Sequence, residues 1–180
     1  MEINETPLRD CYIINNTRFA DERGFFMESF NKKAFKDFGI DFDPCQLNYA
    51  GSSKNVLRGL HYQLEPHSQS KLVGIINGAV LDIVVDLRKN SSTFKQSFKI
   101  ILENQNTMLY IPKGFAHGYY TLKDDTIFYY LVDHLYTPEV ERGILYCDKQ
   151  LNIDWELTDN PIISQKDLNQ PSFTKAEINF

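Results

Sequence analysis

A chain of 180 residues, 42% hydrophobic and 24% charged, suits one folded domain with a full core spanning 1–180. A formal net charge of −5 excludes nucleic acid and anionic membrane surfaces as expected partners, so an anionic ligand requires a local cluster of cations. The opening MEINETPLRDCY lacks a basic start with an apolar run, and no apolar stretch approaches the roughly 20 residues that cross a bilayer, so a cytoplasmic protein is expected.

In chain order, the first recognisable element is a helix over 31–39. Ala34, Phe35 and Phe38 fall on one side, Asn31 is placed to cap the start, and Gly39 stops it. Residues 57–63 read as extended, which points Gly59, His61 and Gln63 one way and Leu60 and Tyr62 the other. KLVGIINGAVLDIVVDLR (71–88) reads as two strands broken at Asn77-Gly78, a hairpin signal. On the second of these strands Asp82 and Asp86 share a face opposite Ile83 and Val85. Further strands are predicted at 98–103, 107–112, 118–122 and 126–136, with a short helical turn over Ser164–Asp167. Short strands at this spacing predict an all-β domain, an antiparallel sandwich or barrel with a jelly roll as the leading form. The three cysteines, Cys11, Cys45 and Cys147, show no CxxC spacing and are expected to be reduced and mostly buried.

Three segments carry chemistry. Arg58 and His61 flank Gly59, and a glycine inside a strand lets another backbone or a ligand approach closely. Pro112-Lys113-Gly114-Phe115-Ala116-His117 resembles the second half of the cupin metal signature, whose first half needs His-x-His. The chain instead has His61-Tyr62-Gln63. His61 and His117 alone fall short of the three or four ligands that zinc or iron wants, so no metal is expected. Tyr129-Tyr130 lie on the strand that leads to Tyr136, and Tyr130 and Tyr136 are expected on one face.

Taken together, these segments resemble the dTDP-4-dehydrorhamnose 3,5-epimerase family over nearly the whole chain. The matching pieces, in the family's order, are 21–28, Gln46-Leu47-Asn48, 57–63, Gln69-Ser70-Lys71, 78–88, 112–118, Tyr130 with 136–141, Ile153-Asp154-Trp155 and 164–167. The resemblance implies a cupin-type jelly roll that works without cofactor or metal on a nucleotide-diphosphate sugar, inverting carbons beside a C4 ketone. It implies His61 as base, Asp167 as its dyad partner, Tyr130 as proton donor and Lys71 as the cation beside the ketone. Arg23, Phe26, Glu28, Gln46, Asn48, Arg58, Gln63, His117, Tyr136, Glu141 and Lys166 fall where the family contacts nucleotide, diphosphate or sugar. The required cation cluster would then be Arg23, Arg58, Lys71 and Lys166.

It further implies a homodimer whose N-terminal segment crosses to the partner, so that Arg23 and Glu28 serve the other subunit's site. The sequence departs from the family at Leu47, where Gln-Asp-Asn is usual, which bears on contacts with sugar or nucleotide. Two alternatives stay open: a sibling epimerase acting on a GDP-linked 4-keto-6-deoxyheptose, and a metal-binding or non-catalytic cupin.

Overall fold

The computed structural model describes residues 1–180 as two stacked sheets with a helix on one side and the C-terminal segment on the other. One sheet has the order β1 (Glu2–Glu5), β2 (Tyr12–Asn15), β10 (Thr107–Ile111), β7 (Lys71–Asn77), β12 (Thr126–Val132) and β5 (Gln46–Ser52). The facing sheet runs β13 (Glu141–Gly143), β6 (Val56–Gln63), β11 (Phe115–Thr121), β8 (Val80–Asp86) and β9 (Ser97–Leu102). The short β14 (Ile162–Ile163) adds to β6 in parallel. A separate two-stranded ribbon is formed by β3 (Arg18–Asp21) and β4 (Gly24–Met27). The architecture is the all-β, cupin-like jelly roll that the sequence predicts. No helix is long and apolar enough to cross a membrane.

The near-continuous burial of the central strands follows from having both faces of each sheet covered. Val73, Ile75, Val80, Val84, Leu109 and Phe128 fill the space between the sheets. Leu57, Leu60, Tyr62, Leu81, Ile83 and Val85 pack outward under the C-terminal segment with Trp155 and Phe173. On the other side, Leu72, Tyr110 and Tyr129 meet Phe35 and Phe42 beneath α1 (Lys32–Phe38). The cap residues of α1 are as expected: the Asn31 side chain accepts from the Ala34 amide, and Gly39 closes the helix at φ +94°. Phe35 is its buried anchor, whereas Phe38 is exposed and stands edge-on to the Tyr12 ring.

The hairpin expected at Asn77-Gly78 does not form. β7 pairs with β10 and β12, β8 pairs with β11 and β9, and the Asn77-Gly78 turn carries the chain from one sheet to the other. A corner of this kind uses the same residues as a hairpin turn. Gly78 sits at φ +87°, and a Cβ there would meet the Thr126 side chain at 2.1 Å, so the position admits no side chain. The expected strand 126–136 stops at Val132, which leaves Tyr136 in a loop and voids the alternation argument that aligned it with Tyr130. Of the three free thiols only Cys11 is buried; Cys45 and Cys147 are exposed, contrary to expectation.

Candidate active site

The decisive local feature is an irregularity in β6. His117 pairs with His61 but Tyr119 pairs with Arg58, so the register slips by one residue between them. Strict alternation would send residues 58 and 61 to opposite faces. The bulge at Gly59 brings Arg58 and His61 to the same cavity while Leu57 and Leu60 both stay in the outer core. Gly59 makes this possible because its backbone is at φ +128° and lies against Gly118, where a Cβ would come within 2.5 Å of the Gly118 Cα.

The cavity opens between the two sheets as two lobes sharing His61, Lys71 and Tyr130. The smaller, ≈ 320 Å³, is completed by Gln46, Asn48, Gln63, Gln69, Tyr136 and Glu141. The larger, ≈ 560 Å³, includes Arg58, His117, Lys166 and Asp167 with the aromatic floor of Tyr119 and Phe128. His61 stands on β6 in one sheet, while Tyr130 on β12 and Lys71 on β7 belong to the other. The imidazole and the phenol therefore project from opposite walls.

Asp167 reaches His61 through a short relay of local structure. β14 lies along the start of β6, and Ser164 caps α2 (Gln165–Leu168) by accepting from the Asp167 amide. The carboxylate then bonds His61 Nε2 through Oδ1 at 2.7 Å and accepts the Gly59 N–H on Oδ2 at 3.2 Å. Burial pushes this carboxyl up, but the His61 and Gly59 bonds and the Lys166 charge outweigh it and leave the group below the usual carboxylate range. With Nε2 engaged, Nδ1 is the ring nitrogen left for the cavity. Lys71 is half-buried where it lines both lobes, and desolvation pulls it down from 10.5 to about 8 against the support of Asp82 and Glu141. Burial likewise raises Tyr130, with Arg58 opposing and Glu141 reinforcing the shift.

Other expected residues hold one another in place. Tyr136 and Lys166 both donate to Glu141 Oε2, at 2.7 and 2.5 Å. Gln46 donates to Asn48 Oδ1 and accepts from the Tyr136 amide. The Gln63 amide is taken up by the backbone of His67, Leu135 and Thr137, so it anchors the loop that carries Tyr136. Leu47 points out of the cavity, half exposed on the far face of β5 from Gln46 and Asn48; the departure from the family triplet makes no contact with either lobe within the chain.

Arg58, Lys71 and Lys166 gather here, but Arg23 does not. It sits at the tip of the β3–β4 ribbon, paired with Asp21, and neither it nor Phe26 nor Glu28 lines either lobe. No three His, Cys, Asp or Glu side chains converge as a metal-ligand set: His61 is turned to Asp167 and His117 to Asp82. Asp82, for which the sequence shows only a carboxylate within the apolar run VLDIVVD, lies on a strand whose seven residues are all buried.

Comparison with known proteins bears on this geometry. A family model described as dTDP-4-dehydrorhamnose 3,5-epimerase matches residues 5–175. The enzyme of that name from Shigella flexneri is 45% identical over 179 residues, 98% of each chain. The crystal structure of the Elizabethkingia anophelis dTDP-4-dehydrorhamnose 3,5-epimerase superposes with a TM-score of 0.93 at 43% identity, covering 97% of both chains. A dTDP-6-deoxy-D-glucose-3,5-epimerase from Legionella pneumophila, solved in complex with dTDP-4-keto-L-rhamnose, gives 0.92 at 41% identity over 97% of this chain and 93% of that one.

Proposed function

The chain belongs to the dTDP-4-dehydrorhamnose 3,5-epimerase family and is an isomerase of that type, and from that premise we propose that it inverts C3 and C5 of dTDP-4-dehydro-6-deoxy-D-glucose to give dTDP-4-dehydro-L-rhamnose. The observation that carries the reading is the His61–Asp167 pair on one wall facing Tyr130 on the other, with Lys71 on the same wall as Tyr130 and lining the same lobes.

The C4 ketone acidifies the hydrogens on C3 and C5, because each carbanion is an enolate. His61 Nδ1 takes the proton; Asp167 on Nε2 holds the tautomer and stabilises the imidazolium that forms. Negative charge developing on O4 meets the Lys71 ammonium in a partly desolvated site. Inversion requires the returning proton to arrive on the opposite face, and Tyr130 donates it from the opposite wall. The diphosphate is assigned to Arg58, His117 and Lys166 in the larger lobe, where guanidinium donors suit phosphate oxygens.

In this reading Arg23, Phe26 and Glu28 complete the cavity of a second copy in a homodimer. What supports it is the ribbon itself: β3–β4 pairs with no other strand of its own chain and exposes Phe19, Phe25 and Phe26. Glu28 then accepts the N3–H of thymine. Incubation of dTDP-4-keto-6-deoxyglucose with the protein and a 4-ketoreductase should yield dTDP-rhamnose, with sedimentation giving a dimer. Turnover of GDP-linked but not dTDP-linked 4-keto sugars would overturn the nucleotide assignment, and a fully active monomer would overturn the exchange.

A further inference from the structure

β8 carries two buried carboxylates whose surroundings differ. Asp86 is saturated: Arg88 bonds both its oxygens, and Ser91 and Thr93 donate to Oδ2. Asp82, completely buried, has one partner, the His117 ring, with Oδ2 at 2.8 Å from Nε2. Its other oxygen, Oδ1, is buried and unpaired. A carboxylate in that position is costly unless a cation compensates it.

Asp82 lies on the inner face of its sheet, opposite the outward Leu81 and Ile83, and so looks across the sandwich toward the sheet that holds Lys71. Lys71 has no ion-pair partner of its own, and among the carboxylates that favour its charge Asp82 is the stronger and Glu141 the second. Asp82 lines neither lobe, whereas Lys71 and His117 both do.

We propose that Asp82 is a positioning residue for the reaction, holding Lys71 in its charged form and fixing the His117 ring, and acting through both without meeting the substrate. The consequence is that one buried charge serves the oxyanion cation and a diphosphate contact together. This rests on reading Lys71 as the cation that meets O4. The other titratable groups that line the lobes with Lys71 are Arg58 and His61 from β6, His117 and Tyr119 from β11, Tyr130 from β12, Tyr136 from the loop after it, Glu141 from β13, and Lys166 and Asp167 from α2. Of the carboxylates among them, Glu141 is already shared by Lys166 and Tyr136 and Asp167 is bonded through both oxygens to His61 and the Gly59 amide, which leaves Asp82, with Oδ1 unpaired, as the less committed anion.

The test follows the Lys71 ε-carbon by ¹³C NMR through a pH titration of wild type and Asp82→Asn, with no sugar nucleotide present. Removing the opposite charge should lower the Lys71 midpoint by about one pH unit or more, and Asp82→Glu should restore part of it. In parallel, the alkaline limb of the kcat profile should move to lower pH by the same interval. An unchanged midpoint in a folded Asp82→Asn protein would overturn the proposal. Should that variant not fold, Asp82→Ser decides by the same titration: the Lys71 midpoint must again fall, and a constant value overturns the coupling. Because both titrations are made without substrate, they stand even if wild type fails to turn over the sugar nucleotide proposed above.

Discussion

Asp167→Asn isolates what the carboxylate does for His61. The side chain keeps its volume, and its amide oxygen can still accept the Gly59 N–H that now bonds Oδ2 at 3.2 Å. That choice turns the amide N–H₂ toward His61 Nε2, 2.7 Å away in the native pair. Facing a donor, Nε2 must become the acceptor, so the ring proton moves to Nδ1, the nitrogen needed as base. A tautomer inversion of this kind in a hydrogen-bonded His–carboxylate pair costs on the order of 10³–10⁴ in rate, or about 4–5.5 kcal/mol of barrier. The variant should also lose about 1.5–3 kcal/mol of stability, the range for a charge-assisted hydrogen bond. The sign with pH is fixed by the depressed Asp167 pKa. Its contribution is present in wild type above the unfolded carboxylate range and is lost as pH falls through the lower folded value. The assay is ¹H NMR of H3 and H5 exchange in D₂O, beside thermal melts at pH 7 and at about pH 3 or below, where the lowered folded midpoint is approached. The wild-type advantage in Tm should narrow at the lower pH. Exchange within tenfold of wild type in a folded Asp167→Asn protein would refute the reasoning.

Tyr130→Phe removes one oxygen from the wall opposite His61, so epimer formation should fall by about 10²–10⁴ while deuterium still enters the sugar; equal loss of exchange and inversion would contradict the division of roles. Activity should decline as pH rises through about 8, where the half-buried Lys71 ammonium loses its proton, and a Lys71→Met enzyme should lack that limb. Gly59→Ala places a Cβ 2.5 Å from the Gly118 Cα at φ +128°, and should destabilise the fold by at least about 2 kcal/mol in urea denaturation. An alanine variant as stable as wild type would mean that the bulge relaxes freely.

What was legible in the sequence divides along physical lines. The core strands from 71 to 132 announce themselves because their runs of Val, Ile, Phe and Tyr are punctuated by turn residues, and α1 because Asn31 and Gly39 mark its ends. Strand partners are not written in such local signals. Asn77-Gly78 has the same chemistry in a hairpin and at a corner between sheets, and only the competition of β10 and β12 for β7 decides. The bulge that aligns Arg58 with His61 depends on Gly118, distant in sequence, so alternation along 57–63 alone could not find it. Within the site, His61, Asp167, Lys71 and Tyr130 were reached through resemblance, and the fold brings them together. Asp82 was visible as a charge in an apolar strand, but its partner His117 comes from β11, and nothing local connects them. Gln63 lines the smaller lobe as expected from the resemblance, and its amide also bonds the backbone of His67, Leu135 and Thr137, partners that no local signal in the sequence names.

The most direct test of the central claim is proton NMR of dTDP-4-keto-6-deoxyglucose with the wild-type protein in D₂O, repeated with His61→Asn. The account predicts that the H3 and H5 signals both disappear with wild type and both persist with His61→Asn. Full exchange in the variant, or exchange at neither carbon with wild type, would contradict it.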